Sequence, residues 1–106
     1  MSTGQGFELH PGAARDIIDI WEFIAFDNLR AAGRVREEIL ETFRRLASFP
    51  HSGHTRPDLT SRPLRFAHVR EYLIAYAPEE RPLWVIAVIH GRRHPRVMAA
   101  ILRGRE

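Results

Sequence analysis

Cysteine is absent from the 106 residues, and so is lysine: every one of the 16 basic residues is arginine. The first absence excludes disulfides, thiolate metal centres and cysteine nucleophiles, and it suits a reducing compartment. The second leaves only planar guanidinium cations, which meet carboxylate or phosphate oxygens two at a time. A GC-rich coding bias would also favour arginine, so its placement tells more than its choice over lysine. Long apolar runs are missing too. None approaches the roughly 18 residues of a membrane span. The start, MSTGQGFELH, lacks the basic-then-apolar order of a signal peptide. A cytoplasmic protein without membrane association is the expectation. Internal repeats and low-complexity segments are also absent. The length sets one domain, residues 1–106, with a core large enough to fold without staples, and residues 1–6 are expected to be loose.

The charge is unevenly spread. Residues 1–50 hold six Arg against eight acids, and residues 51–106 hold ten against five, so the halves carry −2 and +5. The basic surface belongs to the second half and suits an acidic protein partner or a phosphate backbone. An excess of this size gives only weak nonspecific affinity for nucleic acid at physiological salt.

The stretch Leu83 to Pro95, LWVIAVIHGRRHP, sets the frame. Its first seven residues are apolar, with side chains for both faces, which predicts a strand buried on two sides at the centre of a sheet. The chain turns basic at once through His90, Gly91, Arg92, Arg93 and His94, and Pro95 is suited to open a helix. Earlier, Phe7 to His10 predicts a short edge strand. Pro11 then opens a helix with Ala14, Ile17, Ile18, Trp21, Ile24 and Ala25 on its apolar side and Arg15, Asp16, Asp19, Glu22 and Asp27 opposite. Asp27 and Asn28 break it or cap the next helix, Leu29 to Ser48, whose stripe is Ala32, Val35, Ile39, Phe43 and Leu46. Glu41 is spaced to pair with Arg44 or Arg45, and Gly33 weakens this helix by about 1 kcal/mol. Phe49 to Asp58 is rich in helix breakers. Three strands follow, over Leu64 to Val69, Arg70 to Ala77 and Leu83 to His90, and then a short helix from Pro95 to Arg103 ended by Gly104. Helices followed by strands give an α+β fold: an N-terminal short strand, an antiparallel two-helix hairpin packed on an antiparallel sheet of three to four strands, and a short C-terminal helix.

The segments LHPGAARDIIDIWEFIAFDN, RVREEILETFRRLASFPHSGHTRPDL, PLRFAHVREYLIAY and AVIHGRRHP, in that order, resemble the RelE/ParE family of type II toxins. The resemblance runs from Phe7 to about Arg103 and is closer to the ParE branch. It implies a bacterial toxin that arrests growth and is neutralised by a cognate, ParD-like antitoxin in a hetero-oligomer. The ParE branch implies DNA gyrase as target, with no catalytic residues and no cofactor. The RelE branch would instead imply a ribosome-dependent mRNA endonuclease. Against that branch, Leu73 stands where its middle-strand Arg falls, and Met98 and Ala99 where its C-terminal aromatic falls, while Arg93 matches its later Arg. A degenerate, non-toxic interaction module is the third alternative.

Arg92, Arg93 and Arg96 are therefore the candidate target contacts, weighed evenly against a solvated basic turn. No catalytic residue is assigned. If the chain is a nuclease, the groups to carry it are His90, Arg93, Arg70 and His94, since an imidazole beside guanidinium groups can activate a 2′-hydroxyl and stabilise phosphate charge. Strict alternation puts His90 on the face of Trp84, Ile86 and Val88, as a core residue. No metal site is expected: His90 and His94 are four apart but separated by a strand end and a proline. His51 and His54 read as solvated loop residues. Trp21 and Ile24 read first as core, whereas Phe26 with Leu29 leaves the stripe. The antitoxin-binding candidates are Trp21, Phe26, Leu29, Arg70 and Tyr72.

Overall fold

The computed structural model of the chain describes residues 6–106. The elements run β1 (Phe7–Leu9), α1 (Pro11–Ala25), α2 (Leu29–Ser48), a 3-10 turn (Pro50–Ser52), β2 (Arg65–Val69), β3 (Tyr72–Ala77), β4 (Leu83–His90) and α3 (Pro95–Arg103). This is the expected α+β arrangement. Each helix begins where a side chain can take an orphan amide. His10 Nδ1 accepts from Gly12 N at 2.8 Å ahead of Pro11, and Asn28 Oδ1 accepts from Ala31 N at 3.0 Å. His94 Nδ1 accepts from Arg96 N at 3.0 Å ahead of Pro95. At the other end of α3, the Gly104 amide closes the last turn on the carbonyls of Ala100 and Ile101.

The sheet order is β1-β4-β3-β2, which puts β4 inside as its apolar run requires. β2, β3 and β4 are antiparallel, but β1 lies parallel to β4, pairing Phe7 with Leu83 and Leu9 with Val85. The sheet is therefore mixed. Parallel neighbours need a long crossover, and the two helices and the β2–β3 hairpin between β1 and β4 supply one. Gly6, expected to be loose, is tied in: its carbonyl accepts from Leu83 N at 2.9 Å, and its φ of +82° favours glycine. The rest of that expectation, residues 1–5, lies outside the described residues.

Two details differ from a strict reading of alternation. The β3–β4 register slips so that Ala75 faces Ala87 while Tyr76 faces Val85, leaving Ile86 as a bulge residue. After the bulge the faces exchange. Val88 joins the helix-side core while Ile86, Ala87 and Ile89 line the opposite one, and His90 follows Val88 and stacks on Tyr72. His90 thus leaves the face of Trp84 and Ile86, and is no core residue. Arg70, expected at the start of a strand, sits instead in the two-residue turn between β2 and β3 with φ +52°, a conformation that tight hairpins demand.

Helix α1 is rotated relative to the expected stripe. Its buried residues are Ala13 and Ile17, with Ile20 and Ile24 packed against the same core, while Ile18 is exposed. Asp16, three residues from Ala13 and four from Ile20, therefore comes to the inner side. α2 buries the predicted Ala32, Val35, Ile39, Phe43 and Leu46. The other sheet face is covered by α3, through Met98 and Leu102, and by the long loop, through Leu59 and Leu64. Tyr76 pins that loop: its hydroxyl donates to Pro50 O at 2.7 Å and accepts from Gly53 N at 3.0 Å. Gly53 is required there, because a Cβ would lie 2.5 Å from that hydroxyl and 2.7 Å from Phe66 O. Both loop histidines are exposed, as expected; His54 joins the β2 edge through its backbone alone, opposite Phe66, and His51 meets Glu79 at the surface at 2.9 Å. Among the described residues no helix is long and apolar enough to cross a membrane.

Candidate functional site

The central strand ends in a polar turn whose geometry the two histidines organise. His90 Nδ1 accepts from Arg92 N at 3.1 Å, and Arg93 N donates to His90 O at 3.0 Å, which closes the turn. The His90 ring meets Tyr72 edge-on, with centroids 5.5 Å apart, and its Nε2 lies 3.5 Å from Glu71 Oε2. His94 then caps α3. Both imidazoles use Nδ1 on a local amide, so they shape the loop and do not converge on a common point.

This arrangement turns Arg92, Arg93 and Arg96 outward. All three are exposed, and among the described residues none forms an ion pair. Among the same residues exposed Arg30, Arg45 and Arg103 form no ion pair either, so what sets the turn apart is three such groups within residues 92–96. Arg15, Arg44, Arg56, Arg70 and Arg105 are each matched to a carboxylate. Beside the turn, between α1 and the end of β4, lies a cavity of about 350 Å³. Ile20, Phe23, Val88, Ile89 and Ile101 give it an apolar wall, and Asp19, Glu71, His90 and Arg93 a polar one.

Of the groups named for a nuclease, this site gathers His90 and Arg93. Arg70 is engaged elsewhere. Its Nε and Nη2 reach Glu38 of α2 at 2.6 and 2.8 Å, and this paired guanidinium holds the Glu38 carboxyl below the usual carboxylate range and raises Arg70 in turn. Of the positions the RelE branch would fill with an Arg and an aromatic, Leu73 is 2% and Met98 3% exposed, both in the cluster between the sheet and α3, and Ala99 is half-buried.

The proposed antitoxin residues separate into two groups. At the tip of the α1–α2 hairpin, Phe26 is 90% and Leu29 65% exposed, and Phe23, which sequence reasoning missed, is 80% exposed. Trp21 is half-buried beside a hollow shared with Ile18 and Arg36. Tyr72 is buried against His90, where burial pushes its phenol up. Phe23 was legible in principle, since it stands three residues after Ile20 and seven after Asp16, at the edge of the buried stripe, close to the end of the helix.

Sequence reasoning also missed Asp16 and Arg105. The Arg105 guanidinium meets the Asp16 carboxylate through two contacts of 2.5 and 2.9 Å. The signal was an acid at a core-facing helical position.

Comparison with known families adds one match. The model of the ParE toxin of the parDE type II toxin–antitoxin system fits residues 7–95, from β1 through the whole sheet and the arginine turn to the first residue of α3. No curated protein gives a significant match. With more than half of its length matched, and with the helical hairpin and sheet that the resemblance implies, the chain belongs to the ParE toxin family of type II toxin–antitoxin systems.

Proposed function

We propose that this toxin arrests growth by holding DNA gyrase through Arg92, Arg93 and Arg96. We further propose that a cognate ParD-like antitoxin silences it in a hetero-oligomer by covering the exposed tip of the helical hairpin. The observation that carries the target half is the cluster of unneutralised guanidinium groups presented together on a rigid strand-to-helix turn. Such groups have no internal partner to give up before meeting an acidic surface, and guanidinium is less strongly hydrated than an ammonium group. Family membership is the support for gyrase in particular. The antitoxin half rests on Phe23, Phe26 and Leu29, whose clustered exposure is unusual for side chains of this size and suits an apolar partner segment. Arg70 and Tyr72 contribute less to that surface, one being paired to Glu38 and the other buried.

Ribosome-dependent mRNA cleavage is the second reading, favoured by the meeting of His90 and Arg93 at one cavity. It ranks lower on chemical grounds. A neutral imidazole that accepts a backbone N–H at Nδ1 carries its proton on Nε2, which leaves no lone pair to take a proton from a 2′-hydroxyl. Induced expression tests the leading reading. Wild type is expected to stop growth, co-expression of the antitoxin gene beside it to restore growth, and Arg92→Glu with Arg93→Glu to abolish arrest in a folded protein. Arrest that persists in that double variant overturns the role of the turn.

A further inference from the structure

Strand β1 covers β4 only as far as Val85. Beyond it, on the same side of β4, the Val88 amide and the Ile86 carbonyl are met by side chains from distant elements. Asp16 of α1 accepts from Val88 N at 2.9 Å, and Arg105 of the C-terminal tail donates to Ile86 O at 3.1 Å. Separated by 89 positions in the chain, the two side chains also bind each other through both oxygens and both terminal nitrogens. Their exposures are 17% for Arg105 and 18% for Asp16, so solvent screens the pair weakly. The side chain lies directly over Gly12: a Cβ there would come within 2.9 Å of Nε, Cζ and Cδ of Arg105, which would have to move. From the far side Arg62 Nη1 donates to the carbonyls of Leu102 and Arg105, at 3.0 and 3.4 Å.

We propose that Arg105 is a positioning residue: seated between α1 and β4, it fixes α3 and thereby the attitude of the Arg92–Arg96 turn, so that toxicity depends on it without its touching the target. The proposal rests on that turn being the target contact. α3 has nine residues and buries Met98 and Leu102. It is too short to be stable alone, for which about 12–15 residues are marginal, and two apolar side chains fix its distance from the sheet better than its rotation. A bidentate ion pair with a further backbone bond at each partner fixes both. Because α3 is a short rigid rod, release at Arg105 is passed to Arg96 at the other end and to Arg92 and Arg93 just before it.

Two variants reach the contact from opposite sides. Arg105→Gln removes the cation. Gly12→Ala leaves the tail and Asp16 intact but fills the seat, while replacing a poor helix former by the best one. A merely stabilising role for α1 would make Gly12→Ala neutral or favourable. Instead both variants are expected to raise the expression needed for growth arrest by about tenfold. Both should also speed amide hydrogen exchange at Val88 and along α3, and leave binding of the antitoxin at the wild-type level. Wild-type growth arrest in either variant overturns the proposal, as does unchanged exchange along α3. Loss of antitoxin binding in both overturns it too, since the contact would then hold the whole fold. A wild-type protein that arrests growth without affecting gyrase overturns the gyrase reading alone.

Discussion

A buried hydroxyl shows how much a single atom sets in this molecule. Tyr76 is fully buried, and its oxygen is the meeting point of β3, the 3-10 turn and the extended Gly53. Tyr76→Phe is therefore expected to leave the Gly53 amide and the Pro50 carbonyl without a partner and to lower stability by about 1–3 kcal/mol, read as a fall in the urea midpoint at unchanged slope. An unchanged midpoint would mean that water replaces the hydroxyl without loss. Nothing in the sequence marked this residue, because its role depends on a loop some 23 positions away. The same holds for Asp16 and Arg105. An acid on a helix reads as surface until the helix is rotated correctly, and an arginine one residue from the end of the chain carries no periodic signal. By contrast His10, Asn28 and His94 act on amides two or three residues away. Local chemistry of that kind was open to reading, and at Asn28 was read.

Among the elements, the helices were the most legible. Pro11, Asn28, Pro95 and Gly104 stand at their ends, and each acts through backbone chemistry that does not wait for tertiary contacts. α2 also exposes a flaw the sequence already suggested. Gly33 is solvent-facing, and a Cβ there would meet nothing within 4 Å. Gly33→Ala is expected to stabilise the protein by about 0.5–1 kcal/mol, seen as a higher melting temperature with growth arrest unaltered. A lower melting temperature would show that α2 is packed more tightly at that point. The strands were less legible where their pattern broke. The bulge at Ile86 moves His90 from the face of Ile86 to that of Val88 and Tyr72. An eight-residue apolar strand contains no residue that announces such a slip, because both faces are apolar. The tight turn at Arg70 was hidden for a similar reason, since an arginine at positive φ gives no glycine or asparagine signal.

At the scale of the whole molecule, the opposed charges of the two halves become two surfaces. The acid-rich first half forms the helical hairpin, with its apolar tip at Phe23, Phe26 and Leu29. The arginine-rich second half supplies β2, β3 and β4 and the turn that carries Arg92, Arg93 and Arg96. The two surfaces meet at the cavity that Phe23 and Arg93 both line, so a partner covering the tip would also reach the edge of the turn. The decisive measurement is supercoiling of relaxed plasmid by purified gyrase, with wild-type toxin, the Arg92→Glu and Arg93→Glu double variant, and antitoxin added back. Wild type is expected to block supercoiling or trap cleaved DNA, antitoxin to reverse this, and the folded double variant to have no effect. Wild-type protein that stops growth while leaving gyrase fully active would contradict a gyrase target.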